Sequence, residues 1–172
     1  MNRLFHVSED NTIKVFIPRA APTANGNVSG EAVWAIDEDH LAHYLVPRDC
    51  PRIALRASAE TTMEDRIKFF PDKHERVLAV EFGWYSKIKS GKLYIYELPV
   101  DGFEYVDSIA GYAIARQSVV PVAMIEVTNL VEEIIRRGYK LRLLPNLQAL
   151  HDQALASTVQ YSILRMRNAA KS

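Results

Sequence analysis

The chain has 172 residues, 48% of them hydrophobic, and its 21 basic residues balance 21 acidic ones. A chain of this length can bury one sizeable core but is too short for two domains of ordinary size, so we expect a single globular domain over residues 1–172. Because the charges are spread along the chain and sum to zero, they give no strong nucleic-acid signal, and any anion site must be local.

The cellular compartment follows from what the sequence lacks. A single cysteine excludes an internal disulfide framework, and the N-terminal MNRLFHVSED has no apolar run long enough for a signal peptide. No stretch approaches the ~20 apolar residues that a membrane span needs. We therefore expect a cytoplasmic protein with no membrane partner, in which Cys50 stays reduced.

The N-terminal third is predicted to contain two strands and a short helix. Residues 4–8 and 32–36 are apolar, and residues 18–30 between them are rich in proline, alanine, asparagine and glycine. This composition, without an apolar period, predicts a mobile loop and a candidate lid. Asp37 is a good N-cap for a short amphipathic helix, which Pro47 ends.

The rest of the chain alternates short strands and helices. Residues 92–98, KLYIYEL, alternate in period two and are predicted to form a hairpin with residues 103–106. From residue 146 onward, apolar residues recur at helical spacing through Leu164, which predicts one long C-terminal helix. The other predicted elements are strands over 52–56, 76–82, 112–115, 119–127 and 139–144, a helix over 61–70, a helical turn over 84–89, and a helix over 128–137 that Gly138 ends.

These elements indicate the fold class. Strands and helices are interspersed without strict βαβ alternation, which favours an α+β fold over a doubly wound sheet. We predict a single domain with a bent or split sheet, mixed or antiparallel, flanked by the helix over 128–137 and the C-terminal helix.

Motifs that mark common chemistries are absent. The sequence has no GxGxxG after a strand, no GxxxxGK[ST], no HExxH, no GxSxG and no CxxC. His40 and His43 lie three apart with Asp37 and Glu38 nearby. Two histidines without a third convergent ligand favour a solvated helix surface over a metal site, so we expect no metal.

The segment VPRDCPR is the first candidate site. Pro47 and Pro51 fix φ and lack an N–H, so the turn between them must be a rigid loop. The guanidinium forks of Arg48 and Arg52 on this loop match the oxygens of a phosphate, and Arg19 is a further candidate for the same role. The pattern predicts an anion site at the mouth of a cleft.

Cys50 in the same turn admits two interpretations. A thiolate beside two arginines would have a lowered pKa and would be a nucleophile. The alternative is a structural corner, in which Asp49 pairs with an arginine and the small thiol is buried.

His6 is the second candidate. His6 and Ser8 are two apart on the first predicted strand, so their side chains lie on the same side of the sheet. A lone histidine is commonly a hydrogen-bonded core residue, and a site role requires a partner. Tyr44 is that candidate partner, with Trp34 nearby.

Two resemblances follow from these segments. Over nearly the whole length, through LFHVSED, VWAIDEDH, VPRDCPR, KLYIYELP and STVQYSILRMRNA, the chain resembles an uncharacterised bacterial family with no assigned function. Over about the first third, the chain resembles the ADP-ribosyltransferase-like fold. The resemblance lies in a first strand with a histidine and in a later segment of the form V[FW]A[IT][DP], here VWAID, which leads into a short helix with an aromatic residue.

The second resemblance implies roles for individual residues. His6 would hydrogen-bond the nicotinamide-side ribose of NAD, and Tyr44 would stack on nicotinamide. Gln117 and Ser118 stand where that family has a catalytic glutamate at the start of a late strand. A glutamine does not carry the negative charge that ADP-ribosyl transfer uses, so the resemblance implies NAD binding more than turnover.

Three functional hypotheses remain, and they leave open whether the protein is an enzyme. The first is an ADP-ribosyltransferase-like enzyme or a binder of NAD or a related phosphorylated nucleotide. The second is a non-catalytic module that binds a small phosphorylated ligand through Arg48 and Arg52. The third is an interaction protein that forms a homodimer, or meets another partner, through Tyr161, Arg165 and Arg167 of the C-terminal helix.

Overall fold

The chain divides into two compact units, each assembled from two separate stretches. The computed structural model describes residues 3–20 and 28–171. Unit 1 comprises Met1–Leu41 and Lys92–Val127, and unit 2 comprises Ala42–Gly91 and Thr128–Ser172. Most of the predicted lid, residues 21–27, lies outside the described residues.

Unit 1 is built on one antiparallel sheet. Its strands follow the spatial order β7-β8-β3-β1-β6-β9, and β2 pairs with β3. Every pairing among them is antiparallel. The strands are β1 (Leu4–Ser8), β2 (Arg19–Ala20), β3 (Glu31–Asp37), β6 (Leu93–Leu98), β7 (Glu104–Asp107), β8 (Tyr112–Ala115) and β9 (Ala123–Val127).

Alternating residues of these strands form a core on one face of the sheet. Leu4 of β1 lies opposite Leu98 of β6, and Val33 of β3 lies opposite Ala115 of β8. Phe103, which precedes β7, packs into the same cluster. Because side chains alternate between faces, His6 and Ser8 share the face of Leu4. The cluster contains Leu4, Phe16, Val33, Ala35, Tyr94, Tyr96, Leu98, Phe103, Ala113, Ala115 and Val119.

Unit 2 contains a mixed four-stranded sheet and four α-helices among the described residues. The spatial order is β10-β5-β4-β11, in which only β10 and β5 run parallel. The strands are β4 (Arg52–Arg56), β5 (Arg76–Glu81), β10 (Lys140–Leu144) and β11 (Gln160–Leu164), and the helices are α1 (Met63–Phe69), α2 (Tyr85–Ser90), α3 (Leu130–Arg136) and α4 (Gln148–Leu155). Three 3-10 segments occur among the described residues of the whole chain, at Glu38–Tyr44, Phe82–Trp84 and Met166–Asn168. The first begins in unit 1 and ends in unit 2.

Helices α1 and α4 cover one face of the unit 2 sheet. Phe69 of α1 and Leu150 of α4 join Ile53 and Val77 of the sheet in one buried cluster. Capping residues fix the helix starts, since Thr62 accepts a hydrogen bond from the backbone N–H of Asp65, and Asn129 does the same for Glu132.

The structure confirms an α+β fold with a split sheet. The predicted segments 4–8, 52–56 and 112–115 are strands with those bounds, and Gly138 ends α3 with φ +78°. The predicted hairpin of residues 92–98 with 103–106 is wrong. Strand β6 pairs with β1 and β9, which occupy both its edges, and β7 pairs with β8 instead.

The long C-terminal helix is also wrong. Helix α4 ends at Leu155, and residues 160–164 form β11, which pairs with β4 along its whole length. Ser157 Oγ donates to the carbonyl of Ala154 at 2.7 Å at the point where the helix stops. Tyr161 therefore lies on a strand and Arg165 and Arg167 follow it, so the predicted helical dimer surface does not exist. A homodimer stays a prediction without that helix.

Candidate functional site

His6 is held in a defined orientation on β1. Its Nδ1 atom lies 3.0 Å from the carbonyl oxygen of Trp34 on β3. Because a carbonyl oxygen can only accept, Nδ1 carries a proton and donates it to Trp34. The ring is half-buried, and its centroid lies 4.8 Å from that of Phe16.

Aromatic and polar groups surround His6 on its face of the sheet. Tyr96 is its direct partner on β6, and the ring of Tyr96 meets Phe16 edge to face at 5.3 Å. The Tyr96 hydroxyl donates to the carbonyl of Asp10 at 2.8 Å, and Ser8 Oγ accepts from the N–H of Asp10 at 3.1 Å. These bonds fold the chain after β1 back over β6. His6 thus lies beside aromatic rings, and nearby hydrogen bonds fix the chain segment around it.

Trp34 contacts His6 through its backbone carbonyl. Strand alternation puts the Trp34 indole on the opposite face of the sheet, where it meets Tyr112 edge to face at 6.0 Å. Within the described residues, the buried indole Nε1 has no hydrogen-bond partner. Trp34 positions His6 through its carbonyl and does not extend the surface that His6 lines.

The other predicted site residues of unit 1 lie near strand ends. Arg19 lies on β2, exposed and opposite Ala32. Gln117 and Ser118 are exposed after β8, and the Gln117 amide lies against Gly102, where an added Cβ would be 2.7 Å from Nε2. The roles of Arg19, Gln117 and Ser118 in binding a ligand stay predictions.

A buried Asp–His pair in unit 1 was not predicted. Asp37 Oδ1 lies 2.7 Å from His40 Nδ1 and accepts from the His40 backbone N–H at 3.1 Å. Both residues are about 95% buried. The N-cap prediction for Asp37 holds, because the carboxylate closes the first turn of the 3-10 segment. Gly111 lies against this pair from the loop before β8.

In unit 2, the VPRDCPR turn is a closed corner. Arg52 is 4% exposed, its Nε donates to the carbonyl of His43 at 3.1 Å, and its Nη1 donates to those of Arg48 and Cys50 at 3.1 and 2.9 Å. Its guanidinium also lies 5.3 Å from the Tyr44 ring centroid. Arg48, by contrast, is exposed, so the two arginines differ in burial, and their anion site at a cleft mouth stays a prediction.

Cys50 fits the structural interpretation of this corner. The side chain has no exposed surface, and its Sγ donates to the carbonyl of Pro51 at 3.4 Å. Burial raises the pKa of the thiol to about 12, and the charge of Arg52 opposes this shift only in part. The nucleophile hypothesis therefore loses its chemical basis, since the thiolate is the reactive form.

His43 is a buried residue of unit 2. Its Nε2 lies 2.8 Å from the Tyr139 hydroxyl, and the two rings meet edge to face at 5.2 Å. In the described ranges 3–20 and 28–171, no three His, Cys, Asp or Glu side chains are grouped so as to hold a metal ion. The solvated helix surface predicted for the two histidines is wrong, because both are buried.

The comparisons with known proteins give a family and no activity. Residues 5–169 match the family of unknown function DUF6886. The chain belongs to this family. No curated protein and no solved structure matches it. The near full-length resemblance to an uncharacterised family is confirmed, whereas the resemblance to the ADP-ribosyltransferase-like fold has no support from known structures.

For this DUF6886 chain, the described residues contain no helix that is long and apolar enough to cross a membrane. His6 belongs to unit 1 and Tyr44 to unit 2. Their predicted meeting in one pocket stays a prediction.

Proposed function

We propose that this protein binds a ribose-containing nucleotide through the His6 face of unit 1, with NAD as the first candidate. The observation that supports it is the 3.0 Å contact between His6 Nδ1 and the Trp34 carbonyl. This bond fixes the plane of the ring and keeps a proton on Nδ1. A ribose hydroxyl can donate to or accept from a histidine ring, so it is the kind of ligand group that a ring fixed in this way would orient.

The surroundings of His6 hold its ring in place. The histidine is half-buried, and the rings of Phe16 and Tyr96 on the same face are core residues, 5% and 1% exposed. Small-molecule sites typically place a few fixed polar groups against rigid apolar structure. Tyr44, predicted to stack on nicotinamide, belongs to unit 2, so the proposal rests on His6 and its own neighbours.

The proposal covers binding and does not include turnover. Gln117 carries no negative charge that would stabilise an oxocarbenium-like transition state. A phosphate-binding function based on Arg48 and Arg52 is less well supported, because the Arg52 guanidinium is buried and donates to backbone carbonyls.

Thermal unfolding with a ligand panel tests the proposal. The panel contains NAD, ADP-ribose, AMP, ribose 5-phosphate and inorganic phosphate. We expect NAD or ADP-ribose to raise the melting temperature, because a ligand at 100 times its Kd stabilises a protein by roughly 2.7 kcal/mol. His6→Ala should abolish this shift and His6→Gln should reduce it. His151→Ala is the matched control, since His151 is a half-buried histidine of unit 2.

Two results would contradict the proposal. One is a wild-type protein whose melting temperature no ribose-containing compound changes. The other is a His6→Ala variant that is folded by circular dichroism and keeps the full shift. If His6→Ala does not fold, His6→Gln decides the question.

A further inference from the structure

A second surface, in unit 2, combines exposed aromatic rings with lysines. The segment FGWYSKIKS runs from the 3-10 segment Phe82–Trp84 through α2. Phe82 is 56% exposed and Tyr85 37% exposed, and both lysines of the segment are exposed. Ile88, by contrast, is fully buried and anchors the segment in the unit. We call Phe82, Trp84, Tyr85, Lys87 and Lys89 the α2 surface.

Charge and ring are paired on this surface. Lys87 Nζ lies 4.6 Å from the ring centroid of Trp84, and Lys89 Nζ lies 5.7 Å from that of Tyr85. Trp84 and Tyr85 thus each have a cation beside the ring. A nucleotide whose base stacks on such a ring brings its phosphate within reach of the neighbouring ammonium.

A groove next to Tyr85 extends the surface. The groove has a volume of about 440 Å³ and is lined by Val131 and Ile135 of α3, by Leu141 of β10, and by Lys140, which forms an ion pair with Asp72, another lining residue. Ile135 is 59% exposed. The volume falls in the range of small-molecule sites and accommodates a flat heterocycle against apolar walls.

The charge of the unit complements a polyanion. Unit 2 contains 16 basic and 10 acidic residues, a net charge of +6 with histidines neutral, and unit 1 contains 5 basic and 11 acidic residues, a net charge of −6. The α2 surface itself carries two lysines and no acidic side chain. A concentration of one sign attracts and orients a polyelectrolyte of the opposite sign.

We propose that the α2 surface binds single-stranded nucleic acid, with bases stacked on Phe82 and Tyr85 and the backbone held by Lys87 and Lys89. Single strands fit because their bases can leave the stack and meet side-chain rings, which bases in a duplex cannot do. An anionic membrane fits less well. Helix α2 has six residues, and its apolar residue Ile88 is buried in the protein and not offered to lipid.

Fluorescence anisotropy with the full chain tests this proposal. The probe is a labelled 12-nucleotide uridine RNA, titrated between 50 and 200 mM salt, beside the corresponding duplex and vesicles of phosphatidylcholine and phosphatidylglycerol. We expect the single strand to bind more tightly than the duplex. Lys87→Gln with Lys89→Gln should reduce the slope of log K against log salt by about 1.4, at ~0.7 for each lost phosphate contact. Phe82→Ala with Tyr85→Ala should weaken binding at least about tenfold.

The matched control lies on α1 of the same unit. Lys68 also packs over an aromatic ring, at 5.2 Å from the Phe69 centroid, but that ring is buried, and Met63 is 70% exposed. Lys68→Gln with Met63→Ala removes a cation and an apolar side chain of unit 2 without touching the α2 surface. This variant should bind RNA nearly as the wild type does.

Three results would overturn the proposal. The first is no salt-dependent binding of the single strand by the wild type. The second is an equal loss in the control and the α2 variants. The third is binding to the anionic vesicles alone, which would assign the surface to a membrane. Because both lysines are exposed, their variant decides the outcome even if the aromatic variant does not fold.

Discussion

Gly111 shows how one residue maintains the buried pair of unit 1. Its φ is +75°, and a Cβ placed on it would lie 2.3 Å from His40 Nδ1 and 2.8 Å from Asp37 Oδ1. Its carbonyl accepts from the Asp37 N–H at 2.9 Å. Glycine is therefore required here twice, for the backbone conformation and for the space beside the Asp–His pair.

We expect Gly111→Ala to destabilise the protein more than Gly138→Ala. Gly138 has a similar φ of +78° but no atom within 4 Å of an added Cβ, so its variant carries only the conformational cost of about 1–2 kcal/mol. Gly111→Ala should lose a further ~1–3 kcal/mol, because it disrupts buried hydrogen bonds. Urea unfolding of both variants measures the difference. Equal losses would mean that the pair adjusts without cost.

For single residues, the sequence predicted local roles such as helix capping better than burial and hydrogen-bond partners. Asp37 was readable as a helix cap, since the signal is local. The pairing of His40 with Asp37 and the hydrogen bonds of Arg52 were not readable although their partners are near in the sequence, because burial decides them. The α2 surface did leave a signal, namely aromatic residues interleaved with lysines over residues 82–89.

Between elements, one carboxylate ties the start of β11 to α1. Asp65 Oδ2 accepts from the N–H of Thr158 at 2.7 Å and from its hydroxyl at 2.6 Å. These hydrogen bonds lower the pKa of Asp65 below its ordinary value of 3.8. The link lies where the predicted long helix gives way to a strand.

Stability should therefore depend on the charge of Asp65. The pKa of Asp65 is lower in the folded protein than in the unfolded chain. Its contribution to the free energy of unfolding is therefore complete above about pH 4–5, where Asp65 is ionised in both states. This contribution is lost as the pH falls through the pKa of the folded state. At pH 7 we expect Asp65→Asn to have a lower urea midpoint than the wild type. At pH 3 the difference between the two midpoints should be smaller. Glu64→Gln, on the exposed face of the same helix, is the control. A gap that does not change with pH would contradict this account.

Element types were predictable where the signal was local, and pairing was not. The period of residues 92–98 correctly indicated a strand, yet its partner β1 lies far away in the sequence, near the N-terminus. The helical period of residues 147–155 reflects helix α4, whereas its continuation to residue 164 is a coincidence, because five pairs with β4 stabilise residues 160–164 as a strand. Short apolar stretches leave the choice between helix and strand to tertiary contacts.

At the scale of the whole molecule, the chain passes between the two units three times, after Leu41, Gly91 and Val127. The neutral total charge hides units of −6 and +6, because acidic and basic stretches alternate along the sequence. Composition alone could not reveal this division, since it requires knowing which stretches fold together.

We propose that the two units unfold as one domain, because neither is a continuous stretch of chain and unfolding one releases the ends of the other. The two tryptophans test this, since Trp34 belongs to unit 1 and Trp84 to unit 2. Trp84→Phe and Trp34→Phe leave one reporter in each unit. For each variant, we expect the urea midpoint measured by tryptophan fluorescence to coincide with the midpoint measured by circular dichroism. Separate midpoints would identify two domains.

The interleaved strand order also bears on synthesis. When a ribosome has made the first 91 residues, β1 and β3 exist, but β6 and β8, which flank them in the finished sheet, do not. The nascent chain then presents two unpaired sheet edges, and β4 and β5 likewise await β11 and β10. Such edges bind other strands readily. Prematurely terminated chains of this protein should therefore be more prone to aggregate than the complete chain, because strand edges that the finished sheet covers stay exposed in them.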